Sequence, residues 1–183
     1  MTDFILLDTS ASMAESVNTS TGPTRSDRIL RRIDVMTQIL HRIKDKFPRV
    51  QLIHFNSYAY PIESAEEIPT IPTGSTAIHL ALEAVAEISA DQQQPIGKVI
   101  LISDGEPNRA EDAFIAAKAL QAQITTYFCG PEDNHDAISF MHQLAWCSAD
   151  GLGSSHFADL SAPAKLTHEV TLLLTGPQPA QSN

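Results

Sequence analysis

The chain has 183 residues, 43% of them hydrophobic, with two cysteines and a net charge of −10. That length supports one well-buried core and leaves little for a second domain, and no apolar run approaches the roughly 20 residues that a membrane-spanning helix needs. The acidic balance argues against a nucleic-acid partner, which would draw on clustered Lys and Arg, and the pair Cys129 and Cys147 reads as reduced core residues.

In chain order, Phe4-Ile5-Leu6-Leu7 is a short buried strand that ends in Asp8-Thr9-Ser10-Ala11-Ser12. A polar stretch, Glu15 to Asp27, follows, and then Ile29, Leu30, Ile33, Met36, Leu40 and Ile43 recur at helical spacing, with Arg28, Arg31, Arg32 and Arg42 read as a solvated face. Val50 to Phe55 is strand-like, Asn56-Ser57 is a turn, and Tyr58 to Ile62 reads as an edge strand because Pro61 would cost a central strand a ladder bond. Pro72-Thr73-Gly74-Ser75-Thr76 turns into a helix over Ala77 to Val85, with His79 in its first turn. Lys98 to Ile102 is a second strand, uninterruptedly apolar over Val99 to Ile102, ending in Ser103-Asp104-Gly105-Glu106-Pro107-Asn108. Asn108-Arg109-Ala110-Glu111 has the form of a capping box and predicts a helix to about Gln123. A strand over Ile124 to Cys129, a helix over Ile138 to Trp146, a strand near His156 to Ala158 and a last helix capped by Ser161 complete the pattern. Strands alternating with helices predict an α/β fold, doubly wound, with a mostly parallel central sheet, helices on both faces and one antiparallel edge strand. One domain over 1–175 and a disordered tail over 176–183 are expected.

Ligands of such sheets sit outside the carboxyl ends of the strands at the switch point. Asp8 and Asp104 would lie there on neighbouring strands. Asp8, Ser10 and Ser12 stand at alternate positions in a loop, so a curved turn lets them converge on one point. Oxygen donors without imidazole or thiolate suit a hard cation, Mg2+ or Mn2+. Taken singly, each has a plainer reading: Thr76 as a helix cap, and Asp104-Gly105 as a turn pair.

Asp8-Thr9-Ser10-Ala11-Ser12, Gly74-Ser75-Thr76 and Ser103-Asp104-Gly105 together resemble the three parts of the metal-ion-dependent adhesion site of the von Willebrand factor A family, also called the integrin I-domain fold. The resemblance runs from about residue 3 to residue 175. It implies that Ser10, Ser12 and Thr76 coordinate the ion directly or through water. Asp8 and Asp104 complete the shell, and a carboxylate of a protein partner fills the open position. Ser75, Glu106 and Asn108 are the rim residues expected to touch that partner. Two features depart from the family pattern: the long polar stretch from Met13 to Asp27, and Ser75 where a second glycine is common. The short single-domain form resembles the bacterial tellurite-resistance-associated proteins of the family. That implies an adaptor in a stress-response or phosphorylation-linked assembly, with a kinase or phosphatase as partner.

The chemistry favours a non-enzymatic interaction domain. A haloacid-dehalogenase-type phosphotransferase needs a second carboxylate where Ser10 stands. There is no Gly-x4-Gly-Lys-Ser/Thr loop and no Gly-x-Ser-x-Gly elbow. A zinc site from Cys129, His135, His142 and Cys147 has no matching short ligand spacing. The alternatives are a partner of a MoxR-type AAA+ ATPase, a metal-dependent phosphatase, and a metal-free scaffold. The N-terminus shows neither the basic flank nor the cleavage pattern of a signal peptide, so a cytoplasmic protein without a membrane partner is expected.

Overall fold

The two uninterrupted apolar runs become the two central strands of a six-stranded sheet. The computed structural model describes residues 1–17, 30–105, 107–147 and 153–176. Its strands are β1 (Thr2–Asp8), β2 (Gln51–Phe55), β3 (Ala59–Ile62), β4 (Ile96–Ser103), β5 (Gln123–Phe128) and β6 (Ser154–Phe157), in the spatial order β3-β2-β1-β4-β5-β6. All neighbours pair parallel except β2 and β3, so the antiparallel edge strand is the one that carries Pro61.

A parallel sheet is covered on both faces, which is why β1 and β4 show no alternation of apolar and polar residues. Ile5 and Leu7 of β1 with Ile100 and Ile102 of β4 pack against helices α1 (Arg32–Lys46) and α5 (Pro163–Thr175). Phe4 and Leu6 with Val99 and Leu101 pack on the other face, against α2 (Ile78–Gln92), α3 (Ala110–Ala119) and α4 (His135–Trp146). Each of these eight side chains is at most 1% exposed. Full burial of one such apolar side chain contributes about 1.5–3 kcal/mol, so these two strands supply a large part of the apolar burial that favours folding.

Several helix ends differ from the sequence reading. Asn108 does not cap α3; Arg109 holds the cap position without a side-chain cap, and the Asn108 amide is engaged elsewhere, with Thr76 and Ser75. Ser161 does not cap α5, whose cap is Ala162 with Pro163 at the first helical position. Helix α4 begins three residues earlier than expected because Asn134 Oδ1 accepts the Ala137 amide at 3.2 Å. Helix α1 starts at Arg32; Ile29 lies outside the described residues, and Leu30 is 44% exposed. Gly176, assigned to the tail by sequence, is held instead: the buried Lys98 ammonium donates to its carbonyl at 2.9 Å and also to that of Leu173, closing the C-terminal end of α5. Residues 177–183 and the stretch Asn18 to Gly22 fall outside the described residues. No helix among the described residues is long and apolar enough to cross a membrane.

Candidate metal centre

From β1 the chain continues to one side, through β2 and β3, and later returns to β1's other flank as β4, so the switch point of the sheet lies between β1 and β4. Asp8 is the last residue of β1, and Asp104 follows the last residue of β4. Both are buried, at 0% and 4% exposure.

Three loops are stitched together around them. The Ala11 amide donates to the Gly74 carbonyl at 3.2 Å and the Thr73 amide to the Thr9 carbonyl at 3.1 Å, which joins the Asp8 loop to the Thr76 loop. Asn108 ties the Thr76 loop to the Asp104 loop: its Oδ1 accepts the Thr76 amide and its own amide donates to the Thr76 carbonyl, both at 3.0 Å. Its Nδ2 donates to Ser75 Oγ at 2.6 Å, and the Ser75 hydroxyl lies 3.0 Å from that of Ser57. The turn between β2 and β3 therefore braces the threonine loop, a role that local sequence does not signal. Ser75 and Asn108 are exposed at the rim, whereas Glu106 lies outside the described residues. Thr76 is buried and is not the cap of α2; Ala77 holds that position with no side-chain cap.

Within this frame the Ser10 amide donates to Asp8 Oδ1 at 2.8 Å, and the Ser103 hydroxyl donates to Asp8 Oδ2 at 2.6 Å. The Ser10 and Ser12 hydroxyls lie 3.0 Å apart. Ser103, which belongs to the third motif but was not expected as a site residue, thus fixes the Asp8 carboxylate; its Oγ also accepts the Gly105 amide at 3.0 Å. Burial, and then the neighbouring Asp104 charge, push the Asp8 carboxyl up to about 7, against the lowering effect of the Ser103 and Ser10 hydrogen bonds. The same burial, with the Asp104 and Asp8 charges, raises the Cys129 thiol, whose sulfur sits 3.7 Å from that of Met13 in the core.

Arg32 departs most from the sequence reading. It is 7% exposed, not part of a solvated face, and its guanidinium reaches the site. Nη1 lies 3.5 Å from Asp104 Oδ2 and donates to the Ser12 carbonyl at 3.2 Å, while Nη2 pairs with Glu15 at 2.8 Å. The signal was present: Arg32 shares a helix face with Met36, Ile39 and Ile43, all buried.

The donor set fits a hard divalent ion. The two buried carboxylates at the ends of β1 and β4, the adjacent Ser10 and Ser12 hydroxyls and the buried Thr76 come from three hydrogen-bonded loops at one end of the sheet and offer only oxygen donors. Among the described residues no group of three or more His, Cys, Asp or Glu is placed to hold a metal, so Cys129, His135, His142 and Cys147 do not assemble a zinc site. His79, in the first turn of α2, is buried, and its Nδ1 has no hydrogen-bond partner among the described residues.

Gly105 follows Asp104 with φ of +79°, and an added Cβ would stand 2.9 Å from Met141 Cγ and 3.0 Å from the Ala137 carbonyl oxygen. Gly105→Ala is expected to destabilise the fold by about 1–3 kcal/mol in urea unfolding; an unchanged midpoint would mean that the loop adapts without strain.

No protein-family model and no curated protein matches the sequence. Solved structures do match. An aerotolerance-related membrane protein from Bacteroides fragilis is 18% identical over 93% of this chain and 98% of its own, with a TM-score of 0.63. The manganese-loaded TRAP protein of Plasmodium vivax is 19% identical over 90% of this chain and 70% of its own, with a TM-score of 0.60. Proximal thread matrix protein 1 of the mussel byssus, with a zinc-occupied adhesion-site motif, is 17% identical over 94% of this chain and 45% of its own, with a TM-score of 0.57. At such identities the likeness is one of fold. Strand order, the antiparallel edge and these matches together give the chain a von Willebrand factor A-like fold.

Proposed function

We propose that the chain is a non-enzymatic protein-interaction domain that works through a divalent cation. Asp8, Ser10, Ser12, Thr76 and Asp104 would hold Mg2+ or Mn2+, and an Asp or Glu side chain of a protein partner would complete the shell. The observation that carries this reading is the pair of buried carboxylates at the switch point, set among hydroxyls in three hydrogen-bonded loops. Neutral hydroxyls leave an ion more electrophilic than a cage of carboxylates would, and that residual charge is what draws an outside carboxylate. The manganese and zinc carried by two fold neighbours, on so different a sequence, support a divalent ion here.

Exposed Ser75 and Asn108 border the loops and are the contacts assigned to the partner; Glu106 is assigned with them from its position in sequence. The hydrogen bonds that Ser75 and Asn108 make to Thr76 and Ser57 mean that a partner pressing on the rim would also press on a ligand loop. A non-enzymatic role is supported by the placement of the serines: the Ser103 hydroxyl is fully buried between the Asp8 carboxylate and the Gly105 amide, out of reach of a substrate, and the Ser10 and Ser12 hydroxyls pair with each other. The finer reading is a cytoplasmic adaptor in a stress-response or phosphorylation-linked assembly, with a kinase, a phosphatase or an AAA+ ATPase as the partner.

Calorimetric titration with MgCl2 and MnCl2, followed by affinity capture from native lysate with magnesium or with EDTA, tests the reading. Saturable metal binding and a protein retained only with magnesium are expected. No metal binding, with identical captured proteins in both conditions, would sink it and favour the scaffold.

A further inference from the structure

A guanidinium buried against the carboxylate that is to neutralise a metal ion is a competitor for that carboxylate. Arg32 is in that position: Nη1 lies 3.5 Å from Asp104 Oδ2, and the side chain is 9% exposed, so solvent and salt screen the contact little. Its charge is permanent, and it is anchored by α1 at the first helical residue. Placing a dication among the same oxygens sets two positive charges against it at short range and draws the Asp104 charge away from the guanidinium.

The surroundings give Arg32 somewhere else to be. Glu15 already takes Nη2 at 2.8 Å and is itself 61% exposed, so it can follow the guanidinium outward. Arg32 also lines a cavity of about 400 Å3, whose walls include Glu132, Asp133 and Asp159. A guanidinium leaving Asp104 would thus enter space bordered by carboxylates.

We infer that Arg32 is a tethered cation that competes with the divalent ion for Asp104, so that loading the site requires its withdrawal toward Glu15 and the acidic cavity. This rests on the metal-site reading above, which it deepens by naming the residue that sets metal affinity. A partner carboxylate that drew Arg32 to itself would then tighten metal binding, and by linkage the metal would tighten the partner.

The test is the metal dissociation constant, measured by calorimetry with Mg2+ and Mn2+, for wild type, Arg32→Gln, Arg32→Lys and Arg31→Gln. Arg31 is the control because it is adjacent in sequence, carries the same charge and is paired to Asp34 at 2.7 Å, away from Asp104. Arg32→Gln is expected to tighten binding by about tenfold or more, while Arg32→Lys stays within about threefold of wild type and Arg31→Gln within about twofold. An unchanged or weaker Arg32→Gln, or an equal gain in Arg31→Gln, overturns the inference and leaves the metal reading standing. Absence of binding in both wild type and Arg32→Gln overturns both. Should Arg32→Gln fail to fold, the wild-type Arg32 Nε–Hε resonance decides: it is expected to shift on saturation with Mg2+ while that of Arg31 does not, and an unmoved Arg32 resonance refutes the withdrawal.

Discussion

Asp104→Asn is expected to abolish magnesium-dependent partner capture and to weaken metal binding by about 10–100-fold or more, with the fold intact. The asparagine keeps the shape of the side chain and removes its charge, so the effect isolates electrostatics from packing. Two consequences follow from the neighbours. Arg32 loses its contact with a carboxylate but keeps Glu15 at 2.8 Å and the Ser12 carbonyl at 3.2 Å, which limits the cost of an uncompensated buried charge. Asp8 loses the repulsion that is the second cause of its raised carboxyl, which offsets part of that cost near neutral pH. Metal titration calorimetry, with near-ultraviolet circular dichroism as the check on folding, reads the result. Wild-type metal affinity in Asp104→Asn would remove Asp104 from the site and with it the two-carboxylate mechanism.

The parts of this molecule that sequence disclosed are those governed by local period and by strand ends. Phe4 to Leu7 and Val99 to Ile102 could be read as central strands because a parallel strand covered on both faces needs an unbroken apolar run, and helix segments are too short at that length. Asp8, Ser10 and Ser12 stood out because alternate polar residues directly after such a run have no core-building role. Pro61 placed β3 at the edge for lack of an amide donor.

What escaped sequence reading is long-range. Asn108 looks like a helix cap over four residues, yet it spends its amide on Thr76 and Ser75, some thirty positions earlier in the chain, because three loop ends meet there. Ser57 braces Ser75 from a turn whose place in the fold is set by the sheet order. Arg32 was read by residue type as a solvated charge, although its phase on α1 put it with Met36 and Ile39. A charged residue on an apolar helix face has to find a counter-charge when that face is buried, and for Arg32 the counter-charges are Asp104 and Glu15. Competing local and distant hydrogen bonds were decided each time by which groups the sheet brought together at its carboxyl end.

The same burial makes stability depend on pH with an unusual sign. Most buried, hydrogen-bonded aspartates stabilise a fold when ionised; Asp8 does the reverse, because burial and the Asp104 charge push its carboxyl up to about 7 in the folded state, against an ordinary value of 3.8. Between those values the native state binds more protons than the unfolded chain, so Asp8's contribution is fully present below the lower value and is lost as pH rises through the upper one. The separation corresponds to a loss on the order of 4 kcal/mol across the window. Urea unfolding in EDTA at pH 5.5 and pH 8 should therefore show wild type losing stability relative to Asp8→Asn, which cannot ionise at that position. Magnesium should restore wild-type stability far more at pH 8 than at pH 5.5, since a cation binds the ionised carboxylate and releases its proton. A difference between wild type and Asp8→Asn that stays flat with pH would mean that Ser103 and the Ser10 amide already hold Asp8 ionised. The hydroxyl at 2.6 Å, not an incoming metal, would then be the balancing partner of that carboxylate.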